Sequence, residues 1–444
     1  MINAIISAFK NPEIRKRLLF TVLCVVLVRI GSMIPVPGIA YEQFSTWLSQ
    51  ANLELGFLDT LTGGSFSQMS IFALSISPYI NASIIMQLLT IAIPKLEEIQ
   101  KDGEDGRRRI GKYTRILTIA LALLEGGAMA YSFSVGNSNI INTDTFTGIM
   151  LITFGFTAGT SFLMWLGENI SERGVGNGIS IILLINIVSR LPRDLDVLVT
   201  KFVTGASSVI VGIMSAIIIL AVLIGMVVLI VLLQDAERRI PVQYSKKVSG
   251  RGMVGGSASN IPLKVNTSGV IPVIFAMSLM QFPIIISSFF GSTGARTGFW
   301  NKVLYMLNMQ NWFNVTEWGE FKYTVGALVY ILLICFFAYF YTAVTFNPVE
   351  ISNNLKKSGG YCPGIRPGKP TTEYLTDILN KIIFVGAIAL SIVAILPLIF
   401  TGVFRVSVGF AATSLIIAVG VILETMKAVE AMMAVHHYKG FLDK

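Results

Sequence analysis

Ionisable side chains inside apolar runs are where membrane-embedded chemistry is done, because a charge in hydrocarbon is costly and persists only with a task or a partner. This 444-residue chain has 25 acidic residues, and of these only Glu125, in LALLEGGAMA, lies well inside an apolar run. Glu168 and Glu424 fall at the ends of such runs, and both histidines, His436 and His437, belong to the C-terminal tail. Arg29 stands near the far end of the first run, where a long cationic side chain is expected to snorkel to the interface. An ion-coupled transporter of small solutes would bury several carboxylates at mid-membrane. An intramembrane protease would need a nucleophile paired with a base, or metal ligands, within its helices. The sequence offers neither set, nor any GxxxxGK[ST], HExxH or GxSxG string. Cys24, Cys335 and Cys362 are too scattered for a zinc site or a disulfide framework. The expectation is no enzyme, no cofactor and no metal, with energy coming from a gradient, from the cargo or from a separate partner. Glu125 reads as an interhelical hydrogen bond or as a group beside a wet cavity.

Uncharged polar residues are more informative. Ser75, Ser77, Asn81, Ser83 and Gln87 crowd one apolar run with Pro78, and Asn266, Thr267, Ser268, Ser278 and Gln281 crowd another with Pro272 and Pro283. Such side chains commonly bond neighbouring helices, and proline loosens the backbone ladder. Two helices of this kind face to face would make a weak seam, wet on one side. Ile76, Ile80 and Ile84 recur every four residues on one face. They read either as a packing stripe or as an apolar constriction that stops ions by dewetting. Just before them, FLDTLTGGSFSQ (57–68) is too short and too polar to span and is expected to be re-entrant.

The elements that position these groups follow from composition. Hydrophobic residues make up 53% of the chain and charged residues 13%, about half the usual charge of a soluble domain. Mean hydropathy is +0.71. Soluble, disordered and disulfide-stapled classes are excluded, which leaves a multi-span membrane protein. Ten spans are expected, near 18–34, 71–93, 116–135, 148–167, 178–191, 207–233, 266–290, 324–346, 382–400 and 406–424. The first reads as an uncleaved span, because no small-residue cleavage site follows it. Of the 34 Lys and Arg, 26 fall on the side of the N-terminus and 7 on the other, with Arg29 inside the first span. The excess of basic residues on one side makes it cytoplasmic, with both termini inside. Two long loops on that side, 234–264 and 347–381, combine basic residues with Gly and Pro turns. They read as headgroup-facing topology signals or as a docking surface, and their length favours docking.

RIGSMIPVPGI (29–39), SIFALSISPYINASIIMQLL (70–89), DGRRR (105–109), FLMWLGENISERGVGNGISIIL (162–183), RRIPVQYSKK (238–247), IPLKVNTSGVIPVIFA (261–276) and FNPVEISNNLKKSGGYCPGIRPG (346–368) together resemble the SecY family. These are the channel subunits of the bacterial Sec protein translocase, and the resemblance runs from about residue 8 to 430. It implies an all-α membrane protein of ten helices in two pseudo-symmetric five-helix halves, roughly 1–195 and 196–444, around a central hourglass pore. The implied function is a protein-conducting channel in the bacterial plasma membrane. It would carry unfolded preproteins across and release signal and transmembrane helices sideways into lipid.

By motif, the pore ring would comprise Ile76, Ile80, Ile84, Ile179, Leu183, Ile274 and Ile417, with Ser278 beside it. The plug would be about 57–68, including Phe57, Leu58, Leu61, Gly63, Gly64 and Phe66. Gln87 and Asn266 would be the polar contacts of the lateral gate. Arg238, Arg239, Lys246, Lys247, Arg251, Lys356, Lys357 and Arg366 would dock the SecA motor ATPase or the ribosome. Nucleic acid would be met only as ribosomal RNA at those loops. Further implied partners are the small membrane subunits SecE and SecG, signal peptides, unfolded preproteins and membrane lipid. The chain departs from the pattern at Arg251–Gly252, where many relatives carry two adjacent basic residues, and at Glu125, where an uncharged polar residue is common. Leu183 and Ser278 make the ring less uniformly isoleucine.

Overall fold

The computed structural model describes residues 9–44, 59, 62–135, 140–141, 145–204, 209–244, 247–249, 252–254, 258–289, 298–309, 312–313, 324–404 and 414–442. Helices dominate, and the chain gathers into two compact units, the first from 1–218, 278–326 and 398–444, the second from 219–277 and 327–397.

The first unit opens with α1 (Pro12–Gly31), where Asn11 caps the helix by accepting from the Glu13 amide and Pro12 presets the first turn. Next come α2 (Ser77–Ala92) and α3 (Pro94–Lys101), bent by 101° at Ile93–Pro94. Pro94 cannot follow a helical residue without a clash, so Ile93 is extended and the axis turns. α4 (Glu104–Val135), α5 (Thr145–Arg173) and α6 (Gly178–Val199) complete the N-terminal bundle, and α6 runs on into a π-turn at Thr200–Thr204. α4 packs against α2 and α5, and α5 against α1 and α6. Gly178 sits so close to the Gly167 carbonyl that a Cβ there would lie 1.9 Å from its oxygen, which draws α5 and α6 into backbone contact. α13 (Leu415–Leu442) packs on α6 and α1, with Ile14, Val175 and Val429 forming a small core.

The second unit receives α7 (Val209–Asp235) from the first. It contains the antiparallel strands β1 (Glu237–Tyr244) and β4 (Ala258–Lys264), with the short hairpin β2 (Lys247–Ser249) and β3 (Gly252–Val254) between them. α8 (Ile271–Phe289) starts in this unit and continues into the first, which also holds α9 (Phe299–Leu307). α10 (Val325–Thr345) leads to α11 (Pro348–Ser358), capped by Asn347 at one end and by left-handed Gly359 at the other. β5 (Gly360–Tyr361) then pairs with β1, giving the strand order β4-β1-β5, and α12 (Lys369–Phe404) follows. The sheet covers Ile240, Val242, Leu263, Leu355, Cys362, Leu375 and Ile382. Both long basic loops are therefore folded pieces, and the molecule is mainly helical with a small sheet, where an all-helical chain was expected. The strands satisfy backbone groups that a loop held close to the helices would leave bare.

Each of the ten expected spans overlaps a helix in part, and residues 406–413 of the tenth lie outside the described residues. Among the described residues, five helices are long and apolar enough to cross a membrane: Glu104–Ser134, Phe146–Arg173, Gly212–Asp235, Val325–Ser358 and Lys369–Ile399. The bent pair α2–α3 makes a sixth if taken as one span. α1 and α6 are more heavily charged, α1 through Arg15, Lys16, Arg17 and Arg29, and α6 through Arg190, Arg193, Asp194 and Asp196. Apolar side chains such as Ile210, Ile217, Leu220, Leu232, Leu328, Leu332, Phe384 and Val385 point outward. Apolar exposure on that scale suits a multi-pass membrane protein and not a water-soluble one. Two expected spans begin late: residues 71–76 and 265–270 are turns, and α2 and α8 start only where Pro78 and Pro272 can occupy a first turn.

Candidate functional site

Residues 62–76 form a chain of turns that never becomes a helix and leads straight into α2. Its apolar side is fastened. Phe66 and Met69 lie in a cluster with Val36, Phe44, Phe133, Ile152 and Phe156, and Phe44 meets Phe66 and Phe133 edge-on with ring centroids 6.1 and 5.7 Å apart. The Val36 amide donates to the Met69 carbonyl at 2.9 Å and the Ile71 amide to that of Ile34 at 3.0 Å. Met69 (φ 45°) and Ser75 (φ 51°) hold left-handed backbone, a strained state for non-glycine residues that the surrounding contacts enforce.

Its polar side meets charge. Arg29 donates through Nη2 to the Gly63 carbonyl (3.3 Å) and through Nη1 to Asn186 Oδ1 (3.5 Å), and Asn186 Nδ2 donates to Ser75 Oγ (3.1 Å). Ser189 Oγ also reaches the Gly63 carbonyl, at 3.4 Å. Asp59 forms an ion pair with Arg190, whose Nε stands 3.6 Å from Asp194 Oδ1. The Asp59 carboxylate also accepts from the Ser67 amide at 2.9 Å. Arg29, expected to snorkel, is instead held by the Gly63 carbonyl and Asn186. Gly63 has φ +66°, and a Cβ there would lie 2.8 Å from Arg29 Nη1 and from the Asn186 backbone. Only glycine meets both demands.

Of the expected ring residues, Ile76, Ile80 and Ile84 are buried at the start of α2 and along it, Leu183 on α6 and Ile417 on α13. Ile179, Ile274 and Ser278 are half-buried. α6, with Ile179 and Leu183, packs against α13, with Ile417, while Ile179 Cδ1 leans over Gly167 of α5. Ile274 belongs to the second unit and Ser278 to the first, one turn apart on α8. Of the expected plug, Phe57, Leu58 and Leu61 lie outside the described residues, whereas Gly63 and Phe66 are buried and Gly64 is half-buried. Gln87 Nε2 bonds Ser83 Oγ at 3.5 Å on its own helix. Asn266 lies in the turn before α8, where Ser268 Oγ donates to its Oδ1 at 3.5 Å and its buried Nδ2 has no hydrogen-bond partner among the described residues. Glu125 accepts from Asn81 Nδ2 at 3.2 Å, an interhelical bond from α2 to α4.

The basic residues expected to dock a partner lie on or beside the small sheet of the second unit. Arg238 and Arg239 are exposed on β1, Lys356 and Lys357 in the last turn of α11, and Arg366 in the turn after β5. One sheet joins them, through Gln243↔Tyr361 and Tyr244↔Gly360, with Tyr361 Oη donating to Gln243 Oε1 at 3.1 Å. Arg239 pairs with Glu237 at 2.6 Å. Lys247 opens β2, and Lys246 and Arg251 lie outside the described residues. Cys362 is buried under the sheet, and burial pushes its thiol pKa up.

The Asp59–Arg190–Asp194 and Arg29–Asn186 groups were not anticipated. The available signal was Asn186 within IILLINIVSR, three and four residues before Ser189 and Arg190, so that all three share one helix face.

Comparison with known proteins identifies the family. The SecY family profile matches residues 70–426. A protein translocase subunit SecY from Halalkalibacterium halodurans is 41% identical over 450 residues, covering all of both chains. A solved structure described as a protein conducting channel aligns with TM-score 0.62 at 17% identity, over 94% of this chain and 92% of that one. Canine Sec61 in a ribosome–channel complex from the endoplasmic reticulum aligns with TM-score 0.56 at 16% identity, over 94% and 92%. A full-length relative at that identity and a profile match over most of the sequence place the chain in the SecY family.

Proposed function

We propose that this chain is the protein-conducting channel of a bacterial translocase, passing unfolded preproteins across the plasma membrane and releasing apolar helices sideways into lipid. It is a channel subunit and not an enzyme. The observation that carries the reading is the turn segment 62–76: it stays non-helical, buries Phe66, Met69 and Ala73 in the core of the first unit, and ends on the stripe Ile76, Ile80 and Ile84. Segment 57–68 acts as the plug. Ile76, Ile80, Ile84, Ile179, Leu183, Ile274 and Ile417, with Ser278, form the apolar waist. Aliphatic side chains seal around a moving chain of any sequence, because dispersion is non-directional, and they exclude ions when the pore is empty.

The chain crosses ten times, as halves 1–195 and 196–444, with both termini cytoplasmic. Gln87 and Asn266 serve as the polar contacts of a lateral gate. A signal helix more soluble in lipid than in the channel supplies the differential affinity that opens the seam. Arg238, Arg239, Lys246, Lys247, Arg251, Lys356, Lys357 and Arg366 dock SecA or the ribosome, and small subunits of the SecE and SecG type complete the complex. The canine relative in its ribosome complex supports the ribosomal half of that reading.

The test is ATP-dependent import of a signal-bearing preprotein into proteoliposomes holding the chain, its co-purified small subunits and SecA. Arg366→Glu, on an exposed turn, is expected to abolish import without unfolding the chain. Normal import by that variant removes the docking assignment, and no import by the unsubstituted chain removes the channel reading.

A further inference from the structure

We propose that Arg29, Asn186 and Arg190 act as a polar clasp that positions the plug in its closed seat. The proposal rests on the channel reading above. Two points of the plug, Asp59 and Gly63, are gripped separately. At one end Asp59 is paired with Arg190, and at the other the Gly63 carbonyl receives Arg29 and Ser189. The Gly64 amide donates to the Asp59 carbonyl at 2.9 Å, which ties the two gripped points to each other.

The charges are balanced, Arg29 and Arg190 against Asp59 and Asp194. Asp59 and Asp194 are buried, the Arg190 side chain is 14% exposed, and Arg29 is half-buried. A general helix-to-helix fastening would join α1 to α6 directly. Here Arg190 of α6 pairs with Asp59 and Arg29 of α1 reaches Gly63, both in the plug, while Asn186 accepts from Arg29 and holds Ser75 immediately before the isoleucine stripe.

Withdrawal of the plug takes Asp59 from Arg190, leaving it Asp194 on its own helix, and removes one acceptor from half-buried Arg29. The closed seat is favoured by what those arginines lose on opening, and not only by the burial of Phe66. Because the pair is buried, the seal holds at high salt, unlike one made by surface charges. Opening by a signal helix must supply enough differential binding to break both grips.

The experiment measures resting ion conductance of the full chain, purified with its co-purifying membrane subunits, in planar bilayers without substrate. Arg190→Ala and Asp59→Asn are each expected to raise resting conductance roughly tenfold or more, since each breaks the buried ion pair between α6 and the plug. Arg190→Lys restores most of the seal, and the exchange Asp59→Arg with Arg190→Asp restores it more fully than either single change. The thermal unfolding midpoint is followed in parallel. If Arg190→Ala does not fold, Asn186→Ala, which removes no charge, is expected to raise conductance by a smaller factor.

Wild-type conductance in folded Arg190→Ala, Asp59→Asn and Asn186→Ala chains overturns the clasp. Equal leak from Arg190→Lys, Arg190→Ala and the exchanged pair also overturns it, because the pairing then does not matter. Deletion of 57–68 separates the two readings. Raised leak on deletion with silent clasp variants removes the clasp alone. Unchanged conductance on deletion removes the plug assignment and the clasp with it.

Discussion

Replacement of Gly63 by alanine separates shape from flexibility in the re-entrant segment. At φ +66° a non-glycine residue loses about 1–2 kcal/mol. The new methyl group would lie 2.8 Å from Arg29 Nη1 and from Cα and O of Asn186. The arginine tip can move aside, but the Asn186 backbone is held in α6. Crowding of that kind costs about 1–3 kcal/mol. Displacing Gly63 also weakens its carbonyl's bond to Arg29, long at 3.3 Å and therefore worth about 1 kcal/mol. The sum is about 3–6 kcal/mol, two to four orders of magnitude in the local opening equilibrium.

Native-state hydrogen exchange reads that equilibrium directly, through peptides covering 62–76. Gly64→Ala is the control. Gly64 has φ +87°, but its added Cβ meets nothing within 4 Å, so only the backbone cost of about 1–2 kcal/mol applies. Protection is expected to fall much further for Gly63→Ala than for Gly64→Ala. Equal losses in the two variants would show that the close approach to Arg29 and Asn186 carries no energy, and the seating described for this segment would be wrong.

Ile80→Lys is expected to hydrate the waist and raise resting ion conductance; unchanged conductance in a folded variant would leave the stripe as packing alone. Leu375, fully buried beneath the sheet, should cost about 2–5 kcal/mol on truncation to alanine. Hydrogen exchange should then accelerate in β1 and β4 while α4 and α5 stay protected, and uniform acceleration would argue against a separate core. The Cys362 thiol, raised by burial, should resist maleimide at neutral pH and react on unfolding. Its neutral form is the one the folded state favours, so the contribution to stability is intact below the unfolded thiol pKa, about 8.5, and declines as pH rises above it. Rapid labelling of the native chain would contradict the burial.

The helices were legible because apolar runs of span length have few alternatives, and because caps such as Asn11 and Asn347 mark their starts. Late starts at α2 and α8 were legible only in outline. Pro78 and Pro272 announce a first turn, but nothing local says that the preceding six apolar and polar residues prefer turns to helix. The sheet escaped for a different reason. β5 is two residues long and exists through pairing with a strand more than a hundred residues earlier. The clasp is of the same kind, since Arg29 meets Gly63, and Arg190 meets Asp59, only after three separate elements have docked. Snorkelling was a sound expectation for an isolated Arg29 and failed once acceptors came within reach.

The core of the second unit also sets an order of events during synthesis. Leu263 and Leu375 pack in one cluster, yet about 110 residues separate them. At a ribosomal rate of roughly 5–20 residues per second, the inner face of the β1–β4 hairpin waits on the order of 6–20 s for its cover. Throughout that interval Ile240, Val242 and Leu263 remain unburied, beside a nascent helix entering the bilayer. Slowed elongation between β4 and α12 would lengthen the wait, and degradation of the unfinished chain, not loss of channel activity, would be its first sign.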